Sequence, residues 1–250
     1  MTRTLPNLAP SSPARTRRPA GPRIALGLLA GCALPALGPV PLSAQVGPGI
    51  TERVVSHTDP STSFATFVPS SYSPEVPAPI VLVLDPRGRA LVPLERMRPA
   101  AERLGFLIMS SYDSRSDESM EPTERAVAAM IEDAQDLFTI DTNRLYFAGF
   151  SGTARTSWLF ALRFAPYTAG IVAMGAGLPW PTLAAQLEPG EIFSFAYYGG
   201  TGDLDYNWEE VRTLDERLDR YGSPHFVDEW RGPHAWPPEE VFTRALEWLD

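Results

Sequence analysis

Ser151 stands in Ala148-Gly149-Phe150-Ser151-Gly152-Thr153, after an apolar run and before a helical pattern. A serine on such a strand-to-helix turn has its hydroxyl held away from the backbone. The turn brings the chain close to itself, so the flanking residues must be small. The pattern G-x-S-x-G is met at Gly149 and Ser151, with Thr153 where the last glycine belongs. The same serine would also serve as a plain helix N-cap, so the motif needs partners. A serine hydroxyl is a weak nucleophile and becomes a strong one only beside a base that is itself oriented by a carboxylate.

The chain has three histidines, His57, His225 and His234. His57 precedes the serine, and His225 opens a predicted strand, where a structural role is the simpler account. His234 lies in Arg231-Gly232-Pro233-His234-Ala235-Trp236-Pro237, a loop between the last predicted strand and the last helix, from which an imidazole can reach a nucleophile at the carboxyl edge of a sheet. The acid is expected after the strand ending near Tyr198. There Gly199-Gly200-Thr201-Gly202-Asp203-Leu204-Asp205 offers two carboxylates. Asp203, nearer the strand end, is preferred, with Asp205 as the alternative. A turn carboxylate is ordinarily only a turn residue.

Acyl transfer also needs two donors for the oxyanion. The amide of Gly152 is one candidate. The other belongs to the loop Asp85-Pro86-Arg87-Gly88, where Pro86 has no N–H and Arg87 is chosen over Gly88. Tyr112, Trp180, Tyr206 and Trp208 fall in loops or at element ends near the same edge and are candidates to line a substrate pocket, although aromatic residues there often pack into the core. Asp203, Asp205 and Asn207 mimic the start of a calcium loop. Trp208 stands where that loop needs glycine, and Leu214 where it needs glutamate, so no metal site is expected. No glycine-rich nucleotide loop is present and no cofactor is expected.

The elements that must position these residues follow from periodicity. Ile80 to Leu84 is a continuous apolar run bounded by Pro79 and Asp85-Pro86, the pattern of a strand buried on both faces. Further strands are predicted at Phe106–Met109, Leu145–Phe150, Ile171–Met174, Ile192–Tyr198 and Phe226–Trp230. Helices are predicted at 93–104, along the stripe Ala126, Val127, Met130, Ile131, Ala134, Leu137 and Phe138, after Ser151, at 208–221 and at 241–249. Two short β-rich stretches, around 52–57 and 64–68, precede a Pro-rich passage and read as edge strands. Alternation of this kind predicts an α/β fold, a mostly parallel central sheet with helices on both faces.

Residues 1–44 read differently. They hold five arginines and no acid, followed by a small apolar run from Ile24 to Leu37 that is interrupted by proline, the layout of a cleaved export signal. The expected cut follows Ala44, which leaves residues 45–250 as one domain in a periplasmic or secreted protein. The alternative is lipid attachment at Cys32 in Leu29-Ala30-Gly31-Cys32, giving a membrane-anchored lipoprotein. Cys32 is the only cysteine, so after the Ala44 cut neither a disulfide nor a cysteine nucleophile is available. The formal charge of −9 becomes −14 once the five arginines of that segment are removed, which argues against nucleic acid as a partner.

Ile140-Asp141-Thr142-Asn143-Arg144-Leu145-Tyr146 leading into Gly149-Phe150-Ser151-Gly152, then Gly200-Thr201-Gly202-Asp203, then Gly232-Pro233-His234-Ala235-Trp236-Pro237, resembles the polyhydroxyalkanoate depolymerase and feruloyl esterase-like branch of the α/β-hydrolases. The resemblance spans roughly residues 79–250 and implies the α/β-hydrolase fold, a triad of Ser151, Asp203 and His234, and hydrolysis of a small-molecule or polymeric carboxylic ester. Three features depart from the family pattern. Thr153 replaces a glycine, Asp85-Pro86 stands where relatives commonly have His-Gly, and Pro233 replaces a glycine before the histidine. A peptidase of the same fold, or a non-catalytic binding protein that kept it, are the competing expectations.

Overall fold

The computed structural model describes residues 46–178 and 193–250. The segment expected to be an export signal, Cys32 and Trp180 lie outside the described residues. The apolar run predicted from Ile80 is the heart of a strand that spans Ala78–Leu84, every residue of it buried. An unbroken Ile-Val-Leu-Val-Leu segment is stable only where both faces of its sheet are covered, and the order of elements provides that cover. The elements are β1 (Gly49–Val55), β2 (Ser63–Val68), β3 (Ala78–Leu84), α1 (Leu91–Leu104), β4 (Leu107–Ser111), α2 (Glu121–Leu137), β5 (Ile140–Phe150), α3 (Gly152–Arg163), β6 (Thr168–Met174), β7 (Ala196–Gly202), α4 (Trp208–Tyr221), β8 (His225–Trp230) and α5 (Glu239–Leu249).

The eight strands form one sheet in the order β1-β2-β4-β3-β5-β6-β7-β8. β2 runs antiparallel to both β1 and β4, and every later pairing is parallel. The sheet is therefore mostly parallel with helices on both faces, as predicted. Alternate side chains of each strand enter different layers. Ile80, Leu82 and Leu84 share a core with Val127, Met130, Trp158, Leu214 and Leu218 from α2, α3 and α4. Val81 and Val83 share the other with Leu94, Met97, Phe242 and Leu246 from α1 and α5.

The chain leaves β3 in one direction to form β4, then crosses back over β3 to β5 and continues in the other direction. Such a reversal opens a crevice at the carboxyl ends of the strands that flank it. Here those ends carry Asp85 after β3 and Ser151 after β5.

One element differs from its prediction in a way that matters. The strand expected over Ile192–Tyr198 is paired from Ala196 to Gly202, so the glycine-rich stretch read as a turn is buried strand. A Cβ on Gly200 would lie 2.6 Å from the carbonyl oxygen of Asp228, and one on Gly199 would lie 1.9 Å from the Tyr197 hydroxyl. Gly200 lets β7 lie close to β8, Gly199 makes room for the Tyr197 side chain of its own strand, and the loop that follows starts four residues later than the sequence suggests.

Candidate active site

Ser151 joins β5 to α3 at φ 55° and ψ −125°, a left-handed conformation that costs a non-glycine residue about 1–3 kcal/mol and persists only where the surroundings enforce it. Two neighbours enforce it. Gly149 cannot carry a side chain, because a Cβ there would sit 2.2 Å from the carbonyl oxygen of Thr153. Thr153 is fully buried, and its hydroxyl lies 2.6 Å from the carbonyl oxygen of Leu84 and 2.8 Å from that of Phe150, while accepting the Phe150 amide at 3.2 Å. The threonine that replaces the expected glycine thus ties the turn to the end of β3.

His234 reaches the turn from the loop after β8. Its Nε2 is 2.9 Å from Ser151 Oγ, and its Nδ1 is 2.8 Å and 2.9 Å from the two carboxylate oxygens of Asp205. A carboxylate facing Nδ1 fixes the proton there and leaves the Nε2 lone pair for the serine hydroxyl. Asp205 is buried and is held by the Asn207 amide at 2.8 Å. The imidazole lies between two aromatic rings, Phe150 at 4.6 Å and Tyr206 at 4.3 Å between centroids.

The expected acid, Asp203, is corrected by this geometry. Asp203 is exposed, and its carboxylate accepts the Gly232 amide at 2.8 Å. It shapes the histidine loop from outside, and Asp205, the alternative named from sequence, is the acid at the ring. The two positions traded roles because β7 extends to Gly202.

The Arg87 amide is a second correction. It donates to Asp85 Oδ1 at 2.8 Å and is not turned toward the nucleophile. Asp85 is fully buried and organises the whole loop. It also receives the Arg89 amide at 3.1 Å, the Arg89 guanidinium on both oxygens, and the Trp236 indole at 2.7 Å. The Gly88 amide goes to the Asp85 carbonyl at 3.1 Å. Burial alone would push the Asp85 carboxyl up, but the donors from Arg89, Trp236 and the loop amides outweigh it and hold the group below the usual carboxylate range. Gly152, the other expected donor, is the first residue of α3, where its amide has no intrahelical acceptor and the helix dipole adds positive potential.

Of the aromatic candidates, Tyr206 lines the cleft at Ser151 and His234. Tyr112 does not. Its hydroxyl bonds the Glu52 carbonyl at 2.7 Å and its ring lies under Arg53, so it anchors β1. Trp208 points elsewhere, with its indole on Glu229 at 2.9 Å and Arg212 over its ring. The sequence reading missed Asp85 and Trp236 as a pair. Together with Arg96, which donates to the carbonyls of Trp236 and Pro237, they lock the histidine loop to the loop after β3. The only local signal was the Asp-Pro departure.

The cleft over Ser151 has a volume of about 320 Å³ and is bordered by Arg87, Ser116, Tyr206, His234 and Trp236. A second, mostly apolar cavity of about 350 Å³ opens at the amino ends of β3 and β5, lined by Ile80, Leu82, Ile131 and Phe164, with Gln135, Thr142 and Tyr167 as its polar members. Among the described residues no cluster of three or more His, Cys, Asp or Glu is placed to hold a metal.

No protein-family model matches the chain, and no curated protein matches it in sequence. Solved structures do match. A fluorophosphonate-binding serine hydrolase F of Staphylococcus aureus, FphF, superposes with a TM-score of 0.66 at 14% identity, covering 81% of this chain and 99% of that one. A ferulic acid esterase gives 0.60 at 15% identity over 79% of this chain and 94% of that one. The isopeptidase AtxE2 gives 0.57 at 14% identity, over 81% of this chain but 40% of its own. The chain has the α/β-hydrolase fold, and the solved structures it resembles include serine hydrolases and esterases.

Proposed function

We propose that this protein is a serine hydrolase that cleaves a carboxylic ester through an acyl-enzyme. The observation that carries the reading is the unbroken chain of contacts from Ser151 Oγ through the His234 ring to the buried Asp205. Ser151 Oγ attacks the ester carbonyl as its proton passes to His234 Nε2, and the tetrahedral oxyanion develops beside the Gly152 amide. His234 then hands the proton to the departing alcohol. Water, deprotonated by the same ring, releases the acid and restores the serine. Asp205 holds the ring in the required tautomer and stabilises the imidazolium that forms twice per turnover. Tyr206, 77% exposed and against the imidazole, offers the acyl or alcohol group an apolar wall.

A fluorophosphonate probe is expected to label the wild-type protein and not Ser151→Ala. Folded wild-type protein that resists the probe would favour the binding-protein reading instead. The same triad can cleave an amide, and the likeness to an isopeptidase keeps that substrate in the panel. Paired ester and anilide substrates decide between them. The arginine-rich, apolar character of residues 1–44 supports export to the periplasm or beyond as part of the same proposal.

A further inference from the structure

An oxyanion needs more than one donor, and the loop that ordinarily supplies the second has none to give. Pro86 lacks an N–H, the amides of Arg87 and Arg89 are held by the Asp85 carboxylate, and the Gly88 amide is held by the Asp85 carbonyl. The Arg87 and Arg89 bonds end on a fully buried carboxylate, so freeing either would strip a donor from a buried charge, and freeing the Gly88 amide would open the turn closed on the Asp85 carbonyl. The cleft must find its second donor in a side chain.

Ser116 is placed for it. It borders the cleft with Ser151, and its amide is fixed to the Pro86 carbonyl at 3.1 Å. It also packs directly against the first oxyanion donor: a Cβ on Gly152 would lie 2.4 Å from Ser116 Cβ and 3.1 Å from its Oγ. The requirement for glycine at 152 is therefore imposed by Ser116. The hydroxyl now donates to the exposed Asp117 carboxylate at 3.1 Å, and rotation about one side-chain bond redirects it.

Resting on the acyl-transfer reading above, we propose that the Ser116 hydroxyl is the second oxyanion donor, facing the Gly152 amide across the developing negative charge. The substrate oxygen then sits between a helix-terminal N–H and a side-chain O–H, in place of two backbone amides.

The test is p-nitrophenyl butyrate hydrolysis and the rate of fluorophosphonate labelling by wild type, Ser116→Ala and Asp117→Ala. Loss of one oxyanion donor typically costs about 10²–10³-fold in kcat, so Ser116→Ala is expected to lower kcat by that order with little change in KM, and to slow labelling in parallel. If Ser116 acted only by bonding Asp117, Asp117→Ala would fall equally. The assignment expects Asp117→Ala to keep its kcat, because removal of the competing acceptor frees the hydroxyl. Where alanine loosens the loop, the isosteric pair Ser116→Thr and Ser116→Val isolates the hydroxyl, with activity expected for Thr alone. A Ser116→Ala enzyme within twofold of wild type, equal losses in Ser116→Ala and Asp117→Ala, or equal activity of Thr and Val overturns the assignment while the triad reading stands. A wild-type protein that neither hydrolyses nor labels overturns both.

Discussion

A carboxylate orients an imidazole only if it reaches the Nδ1 proton, and of the two acids that flank Leu204 only the buried one does. Replacing Asp205 with Asn keeps the shape but offers an amide where the ring needs an acceptor, and the disfavoured tautomer is expected to cost about 10⁴-fold in kcat. Asp203→Asn removes only a charge behind the Gly232 amide and is expected to stay within about tenfold, since its role is to hold loop shape. Steady-state ester hydrolysis by the two variants decides between them, and the reverse ranking would return the triad to Asp203. The serine and the histidine were legible from type and order, because few residues can fill those roles and the chain holds few histidines. The acid was not, because choosing between carboxylates two residues apart requires knowing where a strand ends.

At the scale of elements, that strand end explains most of what the sequence concealed. Gly199, Gly200 and Gly202 carry the composition of a turn, yet they are strand, and the Tyr197 hydroxyl, β8 and the Gly232 carbonyl of the histidine loop respectively approach them too closely for a Cβ. Close approach between distant segments leaves no mark in a local window. The loop after β3 poses the same difficulty, for Asp85-Pro86 looked like a damaged oxyanion loop until Arg89 and Trp236 appeared around it. Because the folded Asp85 carboxyl is held below its unfolded value, its stabilisation is fully present above about pH 4 and is lost as pH falls through the folded value. Asp85→Asn is therefore expected to destabilise the protein by about 1–3 kcal/mol near neutrality, with the gap to wild type closing on acidification. Denaturant melts at pH 7 and pH 3 measure this, and a gap that widens in acid would contradict it.

Across the whole molecule, legibility follows burial. Strands buried on both faces, such as β3 and the end of β5, announce themselves as apolar runs, and amphipathic α2 and α4 announce themselves by their stripes. The sheet order that places Asp85 beside Ser151 comes from a crossover, which periodicity does not record. Given that topology, three side chains separated by 54 and 29 residues in sequence meet within 2.9 Å of one another along a single chain of contacts. In the proposed mechanism this chain makes Ser151 a nucleophile that becomes acylated. Mixing the enzyme rapidly with excess p-nitrophenyl ester, quenching in acid and weighing the peptide that contains residue 151 tests it most directly. A burst of p-nitrophenol approaching one per protein is expected, together with an acyl mass increment on Ser151. Product released with no increment on Ser151, either before or after the burst, would contradict it.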